Sequence, residues 1–198
     1  MYLFPDEEVQ AAHDPATIRQ LVSAGDISPE GETRNPDFVG VIGDQLWFLP
    51  GYAYGTVGSG HRIGFSGWRR MQLAPPGDVD GDGFTDLFAR NTDNGERGLC
   101  HGRSPGDSDG DAMADGSTDP ASLGAGANRT VYASGWATTG RQLLTASGDS
   151  NGDGVPDLRT TTVTTTAGLE FVPGSQTGPI GPATAVGTTG RQAIRVLS

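Results

Sequence analysis

The sequence predicts an all-β protein made of small repeated sheets, arranged like the blades of a partial or open β-propeller. Two observations carry this prediction. The 198 residues include 32 glycines and 13 prolines, and the apolar residues fall in short clusters between these breakers. The clusters also recur with a period of about 50 residues, which suits one four-stranded propeller blade. We therefore expect three units and two partial ones.

The repeats divide the chain into segments of one domain, 1–198. Each unit opens on a glutamine and an apolar run that leads to Gly-Asp, as at Gln20, Gln72 and Gln142. Two of the units close on an aromatic run that ends in Pro-Gly, at Gly51 and Gly174. The expected segments are the tail of a preceding blade (1–18), unit 1 (19–69), unit 2 (70–140, with an insertion near 103–125), unit 3 (141–190) and the start of a further blade (191–198). The incomplete ends suggest a piece of a longer chain.

Within each unit we expect a strand, an acidic loop, a second strand, a hairpin turn and a third strand. The second strands are predicted at 38–42, 87–90 and 158–162, and the third strands at 46–49, 98–102 and 169–172. Turn-forming residues separate these pairs at 43–45, 92–95 and 166–168. Strands this short, joined by glycine-rich turns, are typical of barrels, sandwiches and propellers.

Two acidic loops predict calcium sites. Calcium takes six to eight oxygen ligands, and alternate side chains of a loop with glycines at its turns can supply several of them. The first predicted ligand set is Asp78, Asp80, Asp82, the carbonyl of Phe84, and Asp86. The second set is Asp149, Asn151, Asp153, the carbonyl of Val155, and Asp157. The matched spacing favours two calcium sites over two solvated turns.

A third acidic run keeps the spacing but lacks the turn glycine, because Ala112 stands in its place. This run is compatible with a third metal site and equally with a plain solvated loop. The residues of this possible site are Asp107, Asp109, Asp111, the carbonyl of Met113, and Asp115. In unit 1 the corresponding segment from Asp26 to Asp37 is longer and has lost the regular spacing, so we expect weak metal binding there or none.

The loops at 77–88 and 148–158, with the aromatic-Pro-Gly runs, resemble FG-GAP (VCBS-type) repeats, the calcium-loop blades of integrin α-subunit heads and of secreted bacterial proteins. The resemblance covers residues 19–198. It implies a propeller blade around each loop, one calcium per loop, and a role in binding proteins or glycans. Complete propellers of that family usually have seven blades, so this chain would hold only part of a ring. Dockerin-type loops differ because their last acid stands at position 12 and leads into a helix.

Charge and composition exclude several classes of function. The net charge of −11 argues against a nucleic-acid partner, which needs a basic face. The sequence has no apolar run of 18 residues, so no membrane span is expected. Cys100 is the single cysteine, which leaves no internal disulfide. Calcium sites of this type indicate a secreted or cell-surface protein, although the first residues do not read as a signal peptide.

The candidate ligand-binding residues are Trp68, Trp136 and His61. Both tryptophans follow a glycine in the links between units, where packing between blades competes with stacking on a sugar. No catalytic motif is apparent, and Cys100 and His101 are neighbours that a strand would turn to opposite faces. We therefore expect a non-enzymatic, calcium-stabilised binding, adhesion or lectin-like module for protein or glycan. The alternatives are an accessory domain of a secreted hydrolase or lyase, and a structural protein that self-associates through open blade edges.

Overall fold

The protein consists of three four-stranded antiparallel sheets, and the all-β prediction is confirmed. The computed structural model describes residues 14–27, 35–104, 118–133, 136, 138–162, 168–177 and 182–187. In every sheet the strand order in space equals the order along the chain, so each sheet is a simple meander. No helix among these residues has the length and apolar character needed to cross a membrane.

The strands follow the repeats. The first sheet contains β1 (Ile18–Gly25), β2 (Asp37–Ile42), β3 (Gln45–Leu49) and β4 (His61–Gly64). The middle sheet contains β5 (Met71–Gly77), β6 (Asp86–Asn91), β7 (Arg97–Cys100) and β8 (Arg129–Ala133). The third sheet contains β9 (Leu144–Ala146), β10 (Leu158–Thr161), β11 (Leu169–Val172) and β12 (Thr184–Gly187).

The second and third strands agree closely with the sequence prediction. β2, β6 and β10 each begin within one residue of the predicted start, and β3 and β11 coincide with the predicted aromatic runs. The turn between β2 and β3 begins at Gly43, whose φ of 62° requires the left-handed region that glycine tolerates. The predicted turn at 166–168 falls largely on residues 163–167, outside the described part.

The sheets pack face to face around two apolar clusters, and β6 contributes to both. Leu87 and Ala89 join the cluster shared with the first sheet, whereas Phe88 joins the cluster shared with the third. This alternation follows from the two-residue period of a strand, which turns successive side chains to opposite faces. The middle sheet is therefore covered on both faces, and its second strand reads as a continuous buried run.

The first strands of the three sheets lie side by side, with β1 beside β5 and β5 beside β9. The side chain of Gln20 joins the first pair. Its amide nitrogen donates to the carbonyl of Leu73 (2.9 Å) and its oxygen accepts from the Leu73 N–H (2.9 Å). A groove with a volume of about 380 Å³ follows the three strands. Its lining includes Leu21, Val22, Ala74, Pro75 and Thr145.

The end of the predicted insertion packs between the first and middle sheets. Helix α1 (Pro120–Gly124) begins at Asp119, whose carboxylate accepts the N–H of Ala121 (2.9 Å). Gly124 lies against the carbonyl of Ile63 so closely that a Cβ would be 1.9 Å from that oxygen. The third acidic run, with Asp107, Asp109, Asp111, Met113 and Asp115, lies outside the described residues.

Four 3-10 helices complete the described elements. They span Pro15–Thr17, Ala53–Gly55, Trp68–Arg70 and Gly126–Asn128. Three of them lead directly into a strand, since Pro15–Thr17 precedes β1, Trp68–Arg70 precedes β5 and Gly126–Asn128 precedes β8. Each is a single turn, so these helices act as connectors between strands.

Candidate metal centre

The two acidic loops have the same backbone conformation, which the sequence repeat alone only suggests. Each loop has left-handed glycines at equivalent places, with φ of 81° at Gly81 and 92° at Gly83, and 80° at Gly152 and 86° at Gly154. Other residues are strained at such angles, so glycine is needed at both positions. Each loop joins the first two strands of its sheet.

The first aspartate of each loop organises the turn. The two carboxylate oxygens of Asp78 accept the N–H groups of Gly81 (2.7 Å) and Gly83 (2.9 Å). Asp149 accepts from the equivalent Gly152 (2.7 Å) and Gly154 (2.9 Å). The bond from Gly154, followed by the others, lowers the pKa of Asp149 and keeps this carboxyl ionised.

The remaining loop acids repeat the same pattern. Asp82 accepts the N–H of Phe84 (3.0 Å), and Asp153 accepts that of Val155 (2.9 Å). These bonds fix the two residues whose carbonyl oxygens were predicted as ligands. The other oxygen of Asp153 accepts the side-chain amide of Asn151 (2.8 Å).

Three carboxylates converge in the first loop. Asp78, Asp80 and Asp82 each present an oxygen, and these three oxygens lie within 4.8 Å of one another. Burial raises the pKa of Asp82, and the neighbouring carboxylates of Asp80 and Asp78 raise it further. Such crowding of like charges is unfavourable until a cation neutralises it. This group could hold a metal ion.

A second group adds a histidine that the sequence-based ligand set does not include. Atoms of Asp80, Asp86 and His101 also lie within 4.8 Å of one another. Nδ1 of His101 is 2.8 Å from the carboxylate of Asp80 and 4.0 Å from that of Asp86. Its Nε2 is 2.9 Å from the hydroxyl of Thr130. His101 stands where the other two units have a proline, Pro50 or Pro173. This departure from the repeat is the sequence signal that could have identified His101 as a candidate ligand.

The last loop aspartate has a structural role in all three sheets. Asp86 is fully buried, and its oxygens accept the N–H groups of Val79 (2.8 Å) and Gly102 (2.9 Å). Asp157 accepts equivalently from Ser150 (2.7 Å) and Gly174 (2.9 Å). Each carboxylate therefore ties the start of its acidic loop to the end of the third strand.

The first sheet keeps this contact without a regular acidic loop. Asp37 is 1% exposed and accepts the N–H groups of Ile27 (3.0 Å) and Gly51 (2.9 Å). Because the arrangement persists in a unit that has lost the metal-ligand spacing, its primary role is to hold the strands together. We call the three arrangements the Asp–Gly clips: Asp37 with Gly51, Asp86 with Gly102, and Asp157 with Gly174.

Each clip also explains why a glycine stands two residues after the third strand. A Cβ on Gly51 would be 2.1 Å from the carbonyl oxygen of Pro36, and one on Gly174 would be 2.1 Å from that of Pro156. At Gly102 the corresponding distance, to the oxygen of Thr85, is 2.3 Å. The obstacle in each case is backbone, which cannot move aside without opening the loop.

The second loop carries one carboxylate less. Asn151 stands where the first loop has Asp80, and its amide donates to the carboxylate of Asp153 (2.8 Å). Among the residues with described positions, no group of three acids or histidines converges in this loop. The second loop therefore presents less negative charge to a cation than the first loop does, although the two backbones have the same shape.

The predicted ligand-binding residues lie apart from these loops. Trp68 is partly buried against the cluster between the first and middle sheets. Trp136 packs against the other cluster, with the guanidinium groups of Arg97 and Arg141 over its ring. His61 begins β4 and is exposed. The structure does not bring these three side chains together with the acidic loops.

Comparisons with models of known protein families, with curated proteins and with solved structures found no match.

Proposed function

We propose that the protein is a non-enzymatic, calcium-stabilised β-repeat module that binds a protein or glycan outside the cell. One observation carries the metal part of this proposal. Two loops at equivalent places in consecutive sheets hold oxygen-bearing side chains in the same hydrogen-bonded conformation. A solvated turn has no need to repeat this set of side-chain-to-backbone bonds in two separate copies.

Calcium fits these loops better than other common cations. The side chains offered are carboxylates and an amide, and the backbone carbonyls of Phe84 and Val155 add neutral oxygens. Calcium accepts six to eight such ligands in flexible geometry, whereas magnesium requires a near-ideal octahedron and retains water. Extracellular calcium modules bind at about 10⁻⁴ to 10⁻³ M. We infer affinities in that range for both loops, in keeping with a module that acts outside the cell.

We also propose that the three sheets are consecutive blades of an open propeller or of a larger ring. The support is the meander order of each sheet, the contact between first strands, and the apolar clusters between neighbouring sheet faces. In a propeller the first strand of each blade lies nearest the axis. The groove along β1, β5 and β9 would then be part of the central channel, and it is a candidate site for a protein or glycan ligand.

Calorimetric titration with calcium tests the metal sites. Asp82→Asn and Asp153→Asn each remove one charge while retaining the oxygen that accepts the loop N–H. We expect two binding events in the parent protein, and a loss of about tenfold in affinity at one event for each variant. Asp93→Asn, an exposed change in the turn between β6 and β7, is the matched control. Absence of calcium binding in the parent protein would refute the proposal.

Ligand binding is tested separately on a glycan array and on immobilised extracellular proteins. We expect binding in millimolar calcium that is lost in metal-free buffer and restored when calcium is returned. Trp68→Ala, Trp136→Ala and His61→Ala test the three candidate contact residues, with folding of each variant checked by circular dichroism. Equal binding with and without calcium would contradict a calcium-dependent binding module while leaving the metal sites intact.

A further inference from the structure

A buried arginine between the middle and third sheets has no acceptor for its hydrogen-bond donors among the described residues. Arg97 on β7 is 0% exposed, and Nε, Nη1 and Nη2 are all without a hydrogen-bond partner in the described part of the chain. One face of its guanidinium is covered by the ring of Trp136, whose centroid is 3.2 Å away. The ring stabilises the cation but accepts none of the in-plane N–H bonds.

The surroundings of Arg97 contain more positive charge than negative charge. Arg90, its cross-strand partner, is also 0% exposed and donates to the backbone carbonyls of Arg141 (2.6 Å) and Gln142 (3.0 Å) and to the side chain of Gln72. Arg141 is paired with Glu170 through two bonds of 3.0 and 2.8 Å. Among the residues with described positions, three guanidinium groups therefore share one carboxylate, inside a protein whose net charge is −11.

The fold itself does not require this pair of arginines. The cross-strand positions equivalent to Arg90 and Arg97 hold Val41 and Leu46 in the first sheet. In the third sheet they hold Thr161 and Leu169. A buried, unpaired charge is strongly unfavourable and is normally compensated by an opposite charge. The middle sheet thus carries an extra cation that the other two sheets replace with neutral side chains.

We propose that this cluster is a binding site for a small monovalent anion of chloride size, held by the donors of Arg97. The three nitrogens each expose less than 1 Å² to solvent, so chloride enters only when the side chains around Arg97 move apart, and a larger anion would have to open the sheet interface. Burial, and then the charges of Arg90 and Arg141, lower the pKa of Arg97 to about 9. The guanidinium therefore remains charged at neutral pH. An anion neutralises the cluster, whereas a water molecule would leave its charge uncompensated.

Thermal unfolding at constant ionic strength tests this site. We compare sodium chloride with sodium methanesulfonate, whose anion is too large to enter, at saturating calcium. We expect chloride to raise the Tm of the parent protein by about 2–4 °C, saturating with concentration. The effect should vanish in Arg97→Met, which removes the buried charge and keeps the apolar stem. Arg69→Met, at an exposed arginine, should retain it.

Bromide quenching of Trp136 fluorescence gives a second readout. Saturable quenching is expected in the parent protein, and it should be absent in Trp136→Phe and in Arg97→Met. Equal unfolding in chloride and methanesulfonate, or a chloride effect that survives in Arg97→Met, would overturn the proposal. If Arg97→Met does not fold, linear rather than saturable bromide quenching in the parent protein would overturn it equally.

Discussion

The three Asp–Gly clips show how one side chain can hold both the strands and the loop that joins them. Each carboxylate accepts two backbone N–H groups, one from the loop that follows the first strand and one from the end of the third strand. Hydrogen bonds to a charged acceptor contribute about 1.5–3 kcal/mol each. In the first sheet the clip is present although the regular metal-ligand spacing is missing. Holding the strands together therefore does not require that spacing.

Replacement of Asp37 by asparagine is expected to destabilise the protein by about 2 kcal/mol, because one oxygen becomes an amide that faces an N–H donor. The loss should be the same with and without calcium, since the first unit has no regular acidic loop. Urea unfolding in both conditions measures it. Asp157→Asn is the comparison variant, and its loss should be larger with calcium. A calcium-dependent loss at Asp37 would contradict a purely structural clip.

Exchanging the third-position residues of the two loops tests the charge difference between them. Asp80→Asn gives the first loop the side chain of the second, and Asn151→Asp does the reverse. We expect calcium affinity to fall about tenfold at the first site and to rise at the second, since more carboxylates attract calcium more strongly. Calorimetric titration of both variants measures this. Unchanged affinities in both would show that residue 80 and residue 151 do not face the ion.

At the scale of the strands, specific side chains join neighbouring sheets. Gln20 bonds the backbone of β5, Arg90 bonds the backbone before β9, and the hydroxyl of Tyr132 bonds both backbone groups of Ser175. These bonds fix the register between sheets, which apolar packing alone leaves less defined. Each sheet is therefore stabilised by its neighbour as well as by its own ladder.

Gln20→Met tests one of these junctions. The variant keeps the length of the side chain and removes both bonds to Leu73, so about 1–2 kcal/mol of stability should be lost. Amide exchange of Leu73 should accelerate because its N–H loses its acceptor. Hydrogen exchange monitored by NMR measures this residue directly. Gln176→Met, in an exposed turn, is the control. Unchanged protection at Leu73 would mean that the bond contributes nothing.

The sequence predicts the strands and acidic loops well because their signals are local. Proline and glycine mark the ends of β2 and proline marks the end of β3, and the spacing of acids marks the loops. It does not predict His101 as a neighbour of Asp80, or Arg97 as a neighbour of Trp136. Those contacts join residues 21 and 39 positions apart, and they depend on strand register that no local pattern specifies.

The stabilising effect of calcium on the whole molecule should depend on pH. Burial, opposed by the N–H bonds from Gly102 and Val79, raises the pKa of Asp86 to about 6 in the metal-free state. An unfolded aspartate has a pKa of about 3.9. Between these values the folded protein binds more protons than the unfolded chain, so Asp86 makes the metal-free protein less stable as the pH rises.

We therefore expect the increase in Tm caused by calcium to be small at pH 5 and to grow as the pH passes 6. Calorimetric scans of dialysed, metal-free protein with and without added calcium measure this at each pH. Asp86→Asn should remove much of the pH dependence, although it also weakens a clip. Sodium methanesulfonate at matched ionic strength, with calcium added as the same salt, controls for general screening. A calcium effect that is constant from pH 5 to pH 7.5 would contradict this coupling.

The clip in the first sheet also changes how the repeat units of such a chain should be counted. A reader who enumerates modules by their acidic loops would find two here and overlook the unit whose loop has eroded. An aspartate at the start of the second strand, followed 14 to 17 residues later by a glycine that no larger residue can replace, identifies all three. Eroded members of repeat arrays can therefore be found by the residues that fasten their strands, even after the ion-binding pattern has disappeared.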